Sequence, residues 1–367
     1  MRRALILVAV VAAALAALAW TRPAAVEALL VLDDLAAGPL PSFLKTLTPR
    51  PERRPLAFSL DGRNRSGDLY VPAETAAAGI VLVPGAAREG KDDPRLVALA
   101  ETLARAGFLV LVPDIANLRD LAVSADDRRP IADAARHLAA GHGLGRVGVA
   151  AISYAVAPAV LAALEEPGID FVVGVGGVYD LDAVITFFTT GRYRAGPGQE
   201  WLSMRPNAYG KWVFVAANAG RLPDSADRAL LAAIADRKMA EPGAAIDDLR
   251  AGLSPQGQAV MALLDNDDPA RVPALIRALP AAADDEIRRL DLAEQDLSRL
   301  RAQLILVHGR DDRIIPWTES AALAEMAPRA ELVLLDDLAH ADLRPGGAVD
   351  AVSLWRAVRL LLEERDR

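Results

Sequence analysis

The chain has 367 residues, 53% of them hydrophobic, enough apolar material for one large domain or two smaller ones. Its formal net charge is −8 and no stretch is dense in Lys and Arg, so it lacks the basic footprint that a nucleic-acid partner needs. Cysteine is absent, which excludes disulfides, thiolate metal sites and a cysteine nucleophile, and a histidine base must be one of His137, His142, His308 and His340.

Met1-Arg2-Arg3 precedes an unbroken apolar run over residues 4–20. A basic start and an apolar middle suit a membrane anchor or a secretory signal. As a helix the run would cover roughly 25 Å, slightly less than a bilayer core of about 30 Å. The expectation is a segment 1–22 that anchors the chain in a membrane or is cleaved on export, with residues 23–54 as a linker. Either reading puts the main domain outside the cytoplasm.

From residue 55 short apolar runs alternate with helical stretches. Residues 55–60 and 67–71 read as paired strands around an Asp61-Gly62 turn. Residues 79–83 form a continuous β-branched run of the kind buried on both faces of a parallel sheet. A helix over 96–106 ends at Gly107, a strand follows over 108–112 to Pro113, and a helix over 130–140 precedes a strand over 147–151. A helix after Ser153 and a strand over 171–175 continue the rhythm. Residues 181–297 then contain no convincing buried strand and are helix-like, too long for a loop, and so read as a cap or lid. The alternation resumes with a strand over 304–307, a helix over 318–326, a strand over 331–335 and a closing helix over 351–364. This pattern predicts an α/β core from residues 55–180 and 298–367, with a mainly parallel sheet flanked by helices, an inserted all-helical lid and an N-terminal hydrophobic helix.

Chemistry in such a sheet gathers at the carboxyl ends of the strands. Three of those ends carry suggestive residues: Ser153 after the strand 147–151, Asp311 and Asp312 after 304–307, and His340 after 331–335. With that order of Ser, Asp and His, and the stretch His308-Gly309-Arg310-Asp311-Asp312-Arg313-Ile314-Ile315-Pro316, the chain resembles the α/β-hydrolase superfamily, in particular its serine esterase and lipase-like members. The likeness covers about residues 55–364 apart from the helical insertion. It departs from the family pattern at the elbow, where Ala151-Ile152-Ser153-Tyr154-Ala155 stands in place of Gly-x-Ser-x-Gly.

The resemblance implies a Ser153, His340 and Asp312 triad that cleaves a carboxylic ester through an acyl-enzyme, with no cofactor. Asp311 is the adjacent alternative to Asp312, and Asp180 is a third possible acid. The backbone N–H groups of Tyr154 and, by the resemblance, Ala86 would form the oxyanion hole, with Gly85 allowing close approach. The same triad would serve a thioesterase, an amidase or a peptidase, and an inactive elbow would leave a noncatalytic binding protein. Aromatic residues cluster between 187 and 214. Phe187, Phe188, Trp201 and Trp212 are expected either to wall an apolar substrate pocket or to form the lid's own core. No histidine pair has metal-ligand spacing on one helix, and Gly174-Val175-Gly176-Gly177 fails as a dinucleotide fingerprint because Tyr179 stands at the third glycine. The expected partners are a small hydrophobic ester and, through the N-terminus, a membrane.

Overall fold

The computed structural model describes residues 23–122, 124–141, 143–196, 198–338 and 347–367. Eight strands build its main sheet: β1 Glu52–Leu60, β2 Arg63–Val71, β3 Ala78–Val83, β4 Phe108–Pro113, β5 Val147–Ile152, β6 Phe171–Val175, β7 Gln303–Gly309 and β8 Ala330–Leu335. They lie in the order β1-β2-β4-β3-β5-β6-β7-β8. β2 runs antiparallel to both of its neighbours, and the strands from β4 to β8 pair in parallel. The β1–β2 hairpin turns at Asp61 and Gly62, whose φ angles of 51° and 75° are those of a tight primed turn.

The continuous apolar strands follow from double-sided burial. In β3, Val81 and Val83 face one core with Ile131 and Leu138, whereas Ile80 and Leu82 face the other with Leu96 and Leu103. Helices α1 Pro23–Ala37, α2 Pro94–Arg105, α3 Arg128–Gly141 and α4 Val156–Glu165 belong to the first half of the chain.

Residues 23–54 depart from the expected linker. α1 buries Ala28, Val31 and Leu32, and its main chain is tied to the C-terminal helix, where Trp355 Nε1 donates to the Ala25 carbonyl at 2.8 Å. Glu27 pairs with Arg365 at 2.8 Å. The apolar face of α1 is thus satisfied by protein.

The membrane anchor is likewise corrected. Among the described residues no helix is long and apolar enough to cross a membrane. The apolar run over residues 4–20, on which that expectation stood, lies outside the described residues.

Between β6 and β7 the chain forms a helical block: α5 Leu181–Thr190, α6 Ala208–Ala219, α7 Ser225–Ala240, α8 Pro255–Leu264, α9 Val272–Arg277 and α10 Ala281–Leu290. A two-residue ribbon, Arg192–Tyr193 against Leu202–Ser203, is the extended pairing within it. The entering and leaving segments are fastened together, since the Tyr179 carbonyl accepts from the N–H groups of Leu292 and Ala293 at 3.0 and 3.1 Å. α11 Thr318–Met326 and α12 Ala348–Arg365 complete the fold.

Candidate active site

β5 delivers Ser153. The strand ends at Ile152, and Ser153 takes φ 59°, a left-handed backbone that few non-glycine residues adopt. A short 3-10 turn over Ser153–Ala155 leads into α4. The Ser153 side is buried, with 7% of the residue exposed.

The helix after the elbow packs closely against the neighbouring strand. Ala151 pairs in register with Gly174 of β6. A Cβ on Gly174 would come within 3.0 Å of Val156 on α4, and one on Gly177 within 2.6 Å. Glycine is therefore required on β6 and just beyond it so that the helix after the serine can sit close. The stretch that fails as a dinucleotide fingerprint has this packing role.

The β3 loop meets the elbow at Gly85, where a Cβ would stand 3.4 Å from both Ser153 Cβ and the Ile152 carbonyl. Connections from β3 and β5 leave in opposite directions along the sheet, and the crevice between their ends is where a ligand site is expected. A cavity of about 600 Å3 opens there, lined by Gly85, Ala86, Ser153, Tyr154, Val213 and Ile314, among others. Ala86 and Tyr154, expected as oxyanion donors, both border it beside Ser153.

Asp312 follows β7 in a tight turn and is 1% exposed. Its Oδ1 accepts from the N–H groups of Ile314 and Ile315 at 2.8 and 3.1 Å. Its Oδ2 lies 3.4 Å from His308 Nε2, which donates to the Ile315 carbonyl at 2.9 Å, while Nδ1 and the Ser320 hydroxyl are hydrogen-bonded at 2.7 Å. His308 thus braces the acid's turn. Asp311 is engaged differently, its Oδ1 accepting from the Leu338 N–H at 3.0 Å, and Asp180 caps α5 through the Ala183 N–H.

His340 lies outside the described residues, as does His142. The approach to His340 is nonetheless held: Asp350 on α12 accepts from the N–H groups of Asp336 and Asp337, and Asp311 accepts from Leu338. Neither support was expected from the sequence. Gly309 is pressed against the Leu338 carbonyl, so a side chain at that position would push this segment away.

The Tyr154 side chain is also placed at the site. Its hydroxyl is buried with no hydrogen-bond partner among the described residues, and its pKa is raised by burial, with the charge of Asp312 adding to the effect. The ring also borders a second, apolar cavity of about 40 Å3, shared with Ala157, Leu181, Phe214 and Ile287.

The four aromatics expected at an apolar pocket or in the lid's own core do not line the cavity beside Ser153. Phe187, Phe188 and Trp212 are buried in the core of the helical block, where Phe188 meets Phe214 at 5.1 Å and Phe187 meets Tyr193 edge-on at 5.7 Å. Trp201 is 40% exposed beneath the Arg194 guanidinium. Val213, on the turn of α6 after Trp212, and Gly210 are the block's residues at the cavity. α6 reaches this position because the Asn207 N–H donates to the Arg313 carbonyl at 2.7 Å and Gly210 packs on Ile314. Among the described residues no cluster of three His, Asp or Glu side chains could hold a metal ion.

A strained serine between a parallel strand and a helix, with a buried acid two strands away in a mainly parallel sheet, decides the architecture. The chain has the α/β-hydrolase fold. No family model matches it. RutD of Pseudomonas syringae pv. syringae (strain B728a), a protein named for carbamate hydrolysis, is 34% identical over 84 residues, which are 22% of this chain and 31% of RutD. The RutD of Pseudomonas savastanoi pv. phaseolicola (strain 1448A / Race 6) is 44% identical over 48 residues, 13% of this chain and 18% of that protein. The matched stretch therefore spans less than a third of these curated relatives. Among solved structures, acylaminoacyl peptidase of Pyrococcus horikoshii gives a TM-score of 0.48 at 12% identity, over 87% of this chain and 42% of the peptidase. Dienelactone hydrolase of Anabaena variabilis ATCC 29413 gives 0.45 at 15% identity, over 85% and 98%.

Proposed function

We propose that this α/β-hydrolase fold carries a serine hydrolase that cleaves a carboxylic ester through an acyl-enzyme, with Ser153 as nucleophile. The observation that carries the reading is the φ of 59° at Ser153, held at the floor of a large cavity against Gly85. A backbone strain of this kind costs of order 1–3 kcal/mol and persists where the surrounding structure enforces it, typically at functional sites.

In this reading His340 takes the Ser153 proton as the hydroxyl attacks the ester carbonyl, then returns it to the departing alcohol. Asp312 orients the imidazole and stabilises its charged form. The N–H groups of Ala86 and Tyr154 receive the oxyanion, and the start of α4 adds the positive end of its dipole. Water repeats the sequence to release the acid. The helical block 181–297 serves as a lid, a role supported by Gly210 and Val213 at the cavity wall. A carbamate would be cut by the same steps, and the partial likeness to RutD makes it the second substrate class to screen.

Hydrolysis of short p-nitrophenyl esters by the full chain tests the reading. Ser153→Ala is expected to lower kcat by at least about 10³-fold with the fold intact. Equal turnover by the folded variant would assign the activity elsewhere.

A further inference from the structure

The cavity beside Ser153 extends well beyond the elbow. It continues along α2 to α1, where Leu35, Gly38 and Pro39 form its far wall. Between these ends run Ile152, Leu96 and Leu99, and all of these leucines and Ile152 belong to the core on the α1–α2 side of the sheet. An apolar strip thus connects the residue before the nucleophile to a helix that packs more than a hundred residues away in sequence.

Several polar groups along this arm are engaged by protein, while Glu89 lines it exposed. Asp34 accepts the Thr102 hydroxyl at 2.6 Å, the Ser42 hydroxyl and the Lys45 ammonium at 2.8 Å, and these bonds hold its carboxyl below the usual range even though burial opposes ionisation. Asp93 caps α2 through the Arg95 N–H and pairs with the Arg95 guanidinium. Arg88, at the rim, reaches Asp236 on α7 at 3.2 Å. Alongside these polar groups the arm offers a ligand the apolar surface of Leu35, Leu96, Leu99 and Ile152.

We propose that the arm between α1 and α2 receives the alkyl chain of the ester, and that Leu35 and Leu99 set the chain length accepted. The proposal rests on Ser153 being the nucleophile and deepens that reading by naming a substrate class: esters bearing an alkyl chain. α1 is then a wall of the substrate site. Each methylene withdrawn from water is worth about fourfold in binding, so a side chain that shortens the arm discriminates strongly between long and short chains.

The test compares wild type with Leu35→Trp and Leu99→Trp in the full chain, each checked for an unchanged melting transition. Two substrate series are used, p-nitrophenyl esters from butyrate to dodecanoate and alkyl acetates of matching lengths, so that the chain can be followed on either side of the scissile bond. The ratio of kcat/KM for dodecyl to butyl chains should fall at least tenfold in one series in both variants, and Leu35→Ala should raise it. An unchanged ratio in both series in the folded variants, or an equal loss at every length, overturns the proposal. Thermal stabilisation by decanol reads the arm independently of turnover. A shift in wild type that is lost in Leu35→Trp supports the arm even where no ester is cleaved, and no shift in wild type counts against it. Absence of turnover with decanol binding retained instead locates the failure in the Ser153 reading.

Discussion

The two walls of the Ser153 cavity are built on different principles. On the sheet side, position is fixed by backbone: the left-handed serine, the close approach of Gly85, and the paired N–H bonds that fasten Asp312. On the helix side, position is fixed by side-chain packing of Leu35, Leu96 and Leu99 between α1 and α2. A backbone-built wall tolerates little change because its atoms have no alternative placement. A wall of aliphatic side chains can be resized one residue at a time. In the proposed reading the first wall carries the chemistry and the second the selectivity.

Asp312→Asn attacks the first wall hardest. An amide keeps an acceptor for the Ile314 and Ile315 N–H groups but no charge for the proposed imidazolium, so kcat on p-nitrophenyl esters should drop by about 10²–10⁴-fold with little change in melting temperature. A drop below tenfold would remove Asp312 from the catalytic group. Ala155→Val tests the same wall through packing. Ala155 is fully buried at the elbow, and two added methyl groups there should cost about 1–3 kcal/mol in urea unfolding, whereas a neutral result would mean the elbow has slack.

A third prediction concerns the base of the helical block. Glu319 is raised to about 8, by burial first, with the charges of Asp180 and Asp291 adding and the N–H bonds from Asp180 and Tyr179 opposing. Asp291 is raised to about 7, again chiefly by burial. Both folded values lie above the unfolded ones of about 4, so the native state holds the extra protons. The stability this contributes is complete below about pH 4 and is lost as pH rises through 7 to 8. The melting temperature of wild type should therefore fall between pH 6 and pH 9, and Glu319→Gln, which keeps an acceptor for both N–H groups, should fall less. Parallel profiles would contradict this. The smallest effect belongs to Trp201, which stands outside both walls: Trp201→Ala should change unfolding free energy by less than about 0.5 kcal/mol and leave the chain-length profile alone.

The sheet was readable because doubly buried strands have little compositional freedom. The runs at 79–83, 108–112, 147–151 and 171–175 all fall within strands, and the Ala-rich elbow still turned at Ser153. α1 was hidden for a physical reason: it is apolar because it packs between α2 and α12, and it directly follows an apolar run that reads as a membrane segment. The sequence left two roles open for the aromatics of the block, pocket wall or lid core, because a core and a binding wall select the same side chains. Asp350 could not be found at all, since its support of residues 336 and 337 is a contact across a turn that no local pattern announces.

The central claim is that Ser153 is an activated nucleophile, and the most direct measurement is the intact mass of the full chain after treatment with a fluorophosphonate. One adduct is expected on wild type, mapped by peptide digestion to Ser153, and none on Ser153→Ala. A folded wild type that stays unmodified, or an adduct that persists in Ser153→Ala, would contradict it.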